Sequence, residues 1–496
     1  MILGKLCQET MRLESITRII QPLIVKGSLQ HEIEGIAYDS RQVRKGHLFV
    51  AIPGHQQDGA DFIDEAVRRG AVAIVSEREL PLRRDIAHLL VDDARLALAE
   101  ISSAFYQHPS ERIELIGITG TNGKTTVSFM IRHILEHAGR TSGLIGTVRY
   151  EIGQRIIPSS RTTPEAPDIH FMLDQMLRSG CRSAVMEVSS HALEQKRVYG
   201  VDFDVGVFTN LTRDHLDYHK NMEDYFHAKS LLFRGLGHMS KAASAVINLD
   251  DPWGMRLAGI GGLGADLILY GLHPGAAVRA EELELQPLGS VFRLISPWGE
   301  AEISLPLPGR YNVSNALAAI AACGARGIAP HVIAEALESM PPVPGRLQQV
   351  CGTRGVRVFI DYAHTDDALA NVLSTVREIT TGKLWVVFGC GGNRDATKRP
   401  VMGAVASAYA DHVVLTNDNP RKEDPATILA EIEAGLPAGT SYDILPDREE
   451  AIAFAIAHAK EGDVVVVAGK GHETVQEFSH TVVPFDDVEV ARKYLR

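Results

Sequence analysis

The densest chemistry in the sequence lies in the run ITGTNGKTTVSFMIRHILEHAG, where an apolar stretch gives way to Gly120, Thr121, Asn122, Gly123, Lys124, Thr125 and Thr126 and then to helical periodicity. Two glycines permit tight backbone geometry, so that successive N–H groups and a helix N-terminus can converge on phosphate oxygens. Lys124 would neutralise terminal phosphates, and the Thr125 hydroxyl would hold Mg2+. The strict phosphate-loop pattern asks for glycine at position 118, where Ile118 stands, so the loop is a GTNGKT variant. A plain strand-to-helix turn accounts for the glycines but not for the GK[ST] core followed by a second threonine. The loop does not choose between ATP and GTP.

Further candidates follow downstream. In SAVMEVSSHAL an apolar run ends at Glu187, where a strand-tip carboxylate can meet Mg2+ directly or through water, or can simply cap or pair. In TNLTRDHLDYH, Asp214, His215, Asp217 and His219 crowd one short segment, which suits either a metal or a solvated loop. Lys229 falls in MEDYFHAKSLLF, an amphipathic helical pattern, and composition alone makes it a helix-surface lysine.

These groups need a scaffold. Apolar runs such as LFVAI, AVAIV, LIGIT, SAVMEV, LWVVFG, HVVLT and DVVVVAG alternate with helical stretches. That alternation predicts α/β domains with parallel sheets, whose ligands sit beyond the carboxyl ends of the strands. At 496 residues the chain exceeds one ordinary core and suggests about three domains. Joints are expected near FYQHPSER and at MPPVPGR, whose prolines interrupt regular structure. Segment 255–300, rich in glycine, reads as an elaboration of the central domain with little functional signal.

Hydrophobic residues at 45% and charged residues at 23% exclude a disordered, collagen-like or coiled-coil chain. Fifty basic against 62 acidic residues give a net charge of −12, which offers no global attraction to nucleic acid or anionic membranes. Five cysteines lack the paired spacing of a zinc site or a redox CxxC. No apolar stretch approaches the ~18 residues of a membrane span, and MILGKLCQETMRLESITRII lacks the pattern of a secretion signal. A cytoplasmic location, no membrane insertion and a monomeric state are expected.

Taken together, GTNGKTT, TTPE (Thr162 to Glu165), EVSSHAL, TNLTRDHLDYH, HAKSLLF, GRYNVSNALAA and DYAHTDDAL resemble the ATP-dependent Mur ligases, which build the peptide stem of bacterial cell-wall precursors. The resemblance runs from DSRQVRKGHLFVAIPG to the terminal PFDD. It implies an α/β fold with three-domain Mur ligase architecture: a UDP-sugar-binding domain over 1–108, a central P-loop ATPase domain over 109–341 and a C-terminal Rossmann-like, amino-acid-binding domain over 342–496. It also implies ATP and Mg2+ as cofactors. By the same resemblance Lys124, Lys229 and His215 are catalytic, with Lys229 carbamylated so that it joins Thr125 and Glu187 in holding metal. Asn312 would meet adenine, Arg346 the γ-phosphate and Asp361 the ribose, with His364 near the phosphates. The nucleotide-sugar substrate would be held by Tyr38, Ser40, His55, Gln56 and Gln57, and further along by Thr162, Thr163, Ser189, Gln195 and Arg197.

The resemblance further implies which amine is added. In the family, DNPR (Asp418, Asn419, Pro420 and Arg421) goes with meso-2,6-diaminopimelate, whose far end carries a carboxylate that lysine lacks. A guanidinium facing that carboxylate forms a bidentate pair and is left unpaired by lysine. Arg394 would add a second such contact, with Asp418, Asn419, Gly469 and Glu473 on the ammonium groups. The expected reaction joins meso-diaminopimelate to UDP-N-acetylmuramoyl-L-alanyl-D-glutamate through an acyl phosphate, in peptidoglycan precursor synthesis. A lysine-adding relative, a folylpolyglutamate synthase and an ATP-driven binding switch are the alternatives; DNPR argues against the first and the YDSR segment against the second.

Overall fold

The computed structural model describes residues 10–54, 58–81, 83, 85–216, 218–352 and 355–496. Three sheets carry the architecture. The first has five strands in the order Ile24–Lys26, Ala87–Leu90, Ala73–Ser76, His47–Val50 and Gly35–Ala37, parallel apart from the first. Its residues alternate between two cores. Leu48 and Val50 face Leu98 and Ile101, while Phe49 and Ala51 face Ile63 and Ala66. A sheet covered on both sides reads as a continuous apolar run, which is how LFVAI appears in the sequence.

The second sheet has eleven strands, and its centre is parallel: Ser142–Ile145, Ser183–Glu187, Glu114–Thr119, Val205–Phe208, Ala243–Asn248 and Ala265–Gly271 lie side by side in that order. The helix Lys124–His137 packs beside Arg310–Ala325, whose run of Ala316, Ala318, Ala319, Ala321 and Ala322 lets the two helices approach closely over the sheet. Segment 255–300 widens this sheet. Val278–Gln286, Gly289–Ser296 and Gly299–Leu305 add an antiparallel meander at one edge, far along the sheet order from the phosphate loop.

The third sheet runs Gln348–Val350, Arg357–Asp361, Val464–Ala468, Leu384–Phe388, His412–Leu415 and Tyr442–Ile444, parallel after the first strand. The order reverses around Val464–Ala468, so the loops after that strand and after Leu384–Phe388 part and leave a crevice at their carboxyl ends. Behind the crevice, Arg448 and Asp487 are both 0% exposed and form a two-bond ion pair at 2.8 Å. Arg448 also donates to the Ala468 carbonyl oxygen at 3.0 Å and to that of Asn417 at 3.4 Å. One guanidinium thus ties together two strand ends that lead into the crevice. Among the described residues no helix is long and apolar enough to cross a membrane.

Asp487→Ala would leave the Arg448 charge buried without its carboxylate. We expect the C-terminal domain to lose about 3–5 kcal/mol of stability, measured by urea unfolding followed through Trp385 fluorescence.

Candidate active site

The phosphate loop lies where three parallel strands end together. In register, Ile118 stands opposite Glu187 and Thr119 opposite Phe208. The loop, the Glu187 carboxylate and the Thr209–Asn210 pair are therefore neighbours by strand pairing alone. Asn210 accepts from the Asn122 N–H through Oδ1 at 2.9 Å, and Thr209 donates to the Asn122 carbonyl at 2.6 Å. Gly120 and Gly123 have φ of +148° and +85°, and a Cβ at either would overlap Thr209 Oγ1 or Asn315 Oδ1. Glycine is required there both by conformation and by space.

Lys124 Nζ donates to the carbonyl oxygens of Gly120 at 2.9 Å and Thr121 at 2.8 Å. Lys229 is no surface residue. It is 1% exposed, and its Nζ donates to the same Gly120 oxygen at 2.8 Å and lies 4.5 Å from the Tyr225 ring centre. Burial, reinforced by Lys124, pushes its ammonium well below the usual lysine value.

Thr125 Oγ1 donates to Glu187 Oε2 at 3.1 Å, and Thr147 fixes the same carboxylate with its N–H at 3.0 Å and its hydroxyl at 2.8 Å. A hydroxyl and a held carboxylate fit Mg2+, which takes oxygen ligands and commonly pairs one or two carboxylates with substrate phosphates and water. Among the described residues no three His, Cys, Asp or Glu side chains converge into a metal cage, and this ion does not need one.

The DHLDYH segment is an interlocked ring cluster. His191 packs against Tyr218 at 4.1 Å and against His215 at 4.9 Å, and His219 stacks on Tyr225. His219 is buried on Ser190 and Glu194, whereas His215 and Asp214 face the cavity. Asp217 lies outside the described residues.

From the C-terminal domain, Arg346 reaches across to donate to Thr125 Oγ1 at 3.1 Å while lying over the Tyr362 ring. Asp361 is buried and accepts the Leu347 and Ala363 N–H groups. Asn312 donates to the Pro308 carbonyl. The loop residues Thr121 to Thr126, Glu187, His215, Lys229, Asn312, Arg346, Asp361 and His364 together line a cavity of about 310 Å3 between the two domains.

A second cavity, of about 400 Å3, adjoins it and shares Asp214, His215, Tyr362, His364 and Thr365. Its far wall carries Arg394, Asp418, Asn419, Arg421, Gly469 and Glu473, with Pro420 in the turn between them. Asn419 donates to Glu473 Oε2 at 2.8 Å, and the buried Lys470 donates to Asn419 Oδ1 and to Glu473 Oε2 at 3.0 and 2.9 Å.

Residues expected on the nucleotide-sugar substrate divide into two groups. Thr162, Thr163, Ser189, Gln195 and Arg197 gather near the Glu187 strand end: Thr163 Oγ1 donates to the Glu187 carbonyl, and Arg197 donates to Gln195 Oε1 and the Thr163 carbonyl. Tyr38 joins the first domain to the second by donating to Asp168 at 2.7 Å, and burial beside that carboxylate pushes the phenol upward. Ser40 donates to Glu65 within its own domain. His55, Gln56 and Gln57 lie outside the described residues.

Residues 32–106 match the Mur ligase family catalytic domain, 118–323 the Mur ligase middle domain and 345–471 the Mur ligase glutamate ligase domain. A protein of Geobacillus thermodenitrificans named UDP-N-acetylmuramoyl-L-alanyl-D-glutamate–2,6-diaminopimelate ligase is 48% identical, over 93% of this chain and 94% of its own. One of Geobacter metallireducens with the same name is 45% identical over 97% of each. The chain belongs to the Mur ligase family. A solved structure of a ligase with that name superposes with a TM-score of 0.70 at 34% identity, covering 98% of this chain and 99% of the other.

Within the Mur ligase frame, three contributors were not singled out by residue type or spacing. Thr147 ends the run LIGT and holds Glu187. Lys470 sits inside GKGHE and reveals its role only through burial. Asp367, in YAHTDDAL, crosses the domain boundary to accept from Asn122 Nδ2 at 2.7 Å and Thr212 Oγ1 at 2.9 Å. It thereby holds the tip of the phosphate loop from the opposite domain. Asp367→Ala should raise the ATP requirement about ten- to a hundredfold, since hydrogen bonds to a charged acceptor contribute about 1.5–3 kcal/mol. Asp367→Asn retains an acceptor and should stay within a few-fold of the parent, as read from steady-state kinetics with ATP varied.

Proposed function

We propose that this protein joins meso-2,6-diaminopimelate to UDP-N-acetylmuramoyl-L-alanyl-D-glutamate at the expense of ATP, in the cytoplasm. The observation that carries the reading is the pair of adjoining cavities: a phosphate loop in one, and in the other a wall bearing both arginines and carboxylates. The relatives' names supply the same substrates.

The γ-carboxylate of the D-glutamyl residue attacks the γ-phosphorus of ATP. A P–O bond to carbon's oxygen forms, the bond to the β-phosphate oxygen breaks, and ADP leaves. The amine at the L-centre of diaminopimelate then attacks the activated carbonyl, loses a proton, and expels phosphate. Activation is needed because an ionised carboxylate resists attack by an amine. Lys124, Arg346 and the loop N–H groups stabilise charge on the transferring phosphoryl. Thr125, Glu187 and a carbamylated Lys229 would hold Mg2+, which neutralises phosphate charge. Burial lowers the basicity of the Lys229 amine, which favours the uncharged form that can add carbon dioxide. Thr162, Thr163, Ser189, Gln195 and Arg197 hold the muramoyl peptide at the same strand ends, and Tyr38 and Ser40 hold the UDP-sugar end. Arg394 and Arg421 receive the distal carboxylate, while Asp418, Asn419 and Glu473 take the ammonium groups. Closure of the domains excludes water from the acyl phosphate.

The deciding assay is phosphate release with each substrate omitted in turn and with lysine in place of diaminopimelate. Release that requires both the UDP-muramoyl dipeptide and diaminopimelate, with tripeptide formed, supports the ligase; ATP turnover indifferent to both would make the protein a nucleotide-driven switch. Lys229→Ala should lose at least about a hundredfold in kcat, in the range of other charge-stabilising groups at a reacting phosphate, and recover part of it with added acetate or formate.

A further inference from the structure

The Arg421 guanidinium is held from behind by one carboxylate. Its Nε donates to Glu477 Oε2 at 2.9 Å, and its Nη1 donates to the Gly392 carbonyl at 2.9 Å. Glu477 closes the strand Val475–Glu477, which forms a small antiparallel hairpin with Val482–Pro484 and stands apart from the three large sheets. That hairpin is anchored to the DNPR turn by main-chain bonds that do not involve the Glu477 side chain. The Glu477 N–H donates to Asn419 Oδ1 at 3.0 Å, and the Arg421 N–H donates to the Glu477 carbonyl at 3.1 Å. Arg421 itself adopts φ of +52°, a left-handed conformation that an arginine holds only when its surroundings impose it. The Glu477 side chain is therefore free to serve a purpose other than keeping the loop in place.

We infer that Glu477 is a positioning residue for amine selection: it fixes the Arg421 guanidinium so that the remaining Nη donors face the cavity in a set orientation. This rests on the reading of Arg421 as the receptor for the distal carboxylate of the diamino acid. A free arginine side chain would have to be ordered each time substrate arrives, and the orientation that suits a planar carboxylate is one among many. With Nε and one Nη1 hydrogen already committed, the guanidinium plane is set before binding. An amine lacking the distal carboxylate gains nothing from that arrangement, so the contribution of Glu477 appears in selectivity. Glu477 does not line the cavity, and among the groups assigned to substrate its carboxylate pairs with Arg421, which makes it a positioning and not a catalytic group.

The test compares Glu477→Ala and Glu477→Gln with the parent enzyme, varying ATP, UDP-muramoyl dipeptide and diaminopimelate separately and repeating with lysine. Ordering one long side chain corresponds to roughly a two- to tenfold effect, so Glu477→Ala should raise the KM for diaminopimelate by that factor and narrow its preference over lysine. The KM values for the other two substrates should not move. Glu477→Gln, whose amide oxygen still accepts from Nε, should restore most of the difference. An unchanged KM and preference in Glu477→Ala, or an equal rise for all three substrates, overturns the inference. Parent enzyme inactive toward diaminopimelate would instead overturn the ligase reading itself.

Discussion

Two lysine amines, one from the phosphate loop and one 105 positions further along the chain, share a single carbonyl oxygen, that of Gly120. Burying positive charge is costly unless a counter-charge is supplied. The buried Glu187 carboxylate already accepts from Thr125 and Thr147, and Asp214 on the same cavity wall favours the charged form of both amines. Both amines donate to carbonyl oxygens, and the charge of Lys124 stays available to an incoming polyphosphate. This arrangement reaches outward into the fold. The shared carbonyl can point between the lysines because Gly120 adopts φ of +148°, and Lys229 is buried because its helix, Met222–Gly235, packs Tyr225, Phe226, Leu232 and Phe233 into the central core.

The central domain completes only one side of this site. Arg346 and Asp367 arrive from the C-terminal domain with opposite charge and opposite tasks: the first brings a guanidinium to the loop hydroxyl, and the second grips the loop tip and the neighbouring Thr212. Neither contact exists within one domain. The residues common to the two cavities, Asp214, His215, Tyr362, His364 and Thr365, also come from both sides of the boundary. An acyl phosphate formed against the loop would lie beside the chamber for the amine, and the domain contact that completes the first cavity also walls the second. Coupling the two protects a water-sensitive intermediate.

Much of this was legible in the sequence, though unevenly. The phosphate loop announced itself because its chemistry is local: the glycines, Lys124 and Thr125 lie within a few residues and between a strand pattern and a helix pattern. DNPR and GKGHE also follow apolar runs at strand ends, but the family resemblance, not that position, assigned them to the amine. Lys229 was not legible, because a lysine on an amphipathic helix reads as exposed unless one knows what covers that face; the family resemblance, not its spacing, marked it. His219 crowded with His215 in the sequence yet turns into the protein. Asp367 and Glu477 act across long sequence separations on residues 245 and 56 positions away, and no local pattern records such pairings. Segment 255–300 supplies Ala265–Gly271 to the parallel part of the second sheet and most of the antiparallel strands at its edge.

The net charge of −12 sets the last constraint. A protein repelling anions at long range must recognise anionic substrates through local groups, and the two cavities do so differently. At the phosphate loop the cations work with backbone N–H groups, which cannot be neutralised by the surrounding acidic surface. Around the second cavity, Arg213, Arg394, Lys398 and Arg421 face Asp214, Asp366, Asp395, Asp418 and Glu473, a near balance of sign. Such a wall gives little attraction to a simple anion or a simple cation, since each gain is offset by a neighbouring like charge. A molecule with two ammonium and two carboxylate groups can pair with both signs at once. Balance alone does not select, however, because lysine could pair with the acids and leave the arginines of the distal carboxylate idle. Selection requires that an idle arginine be costly, and it is costly to the extent that its guanidinium is held where only a carboxylate satisfies it.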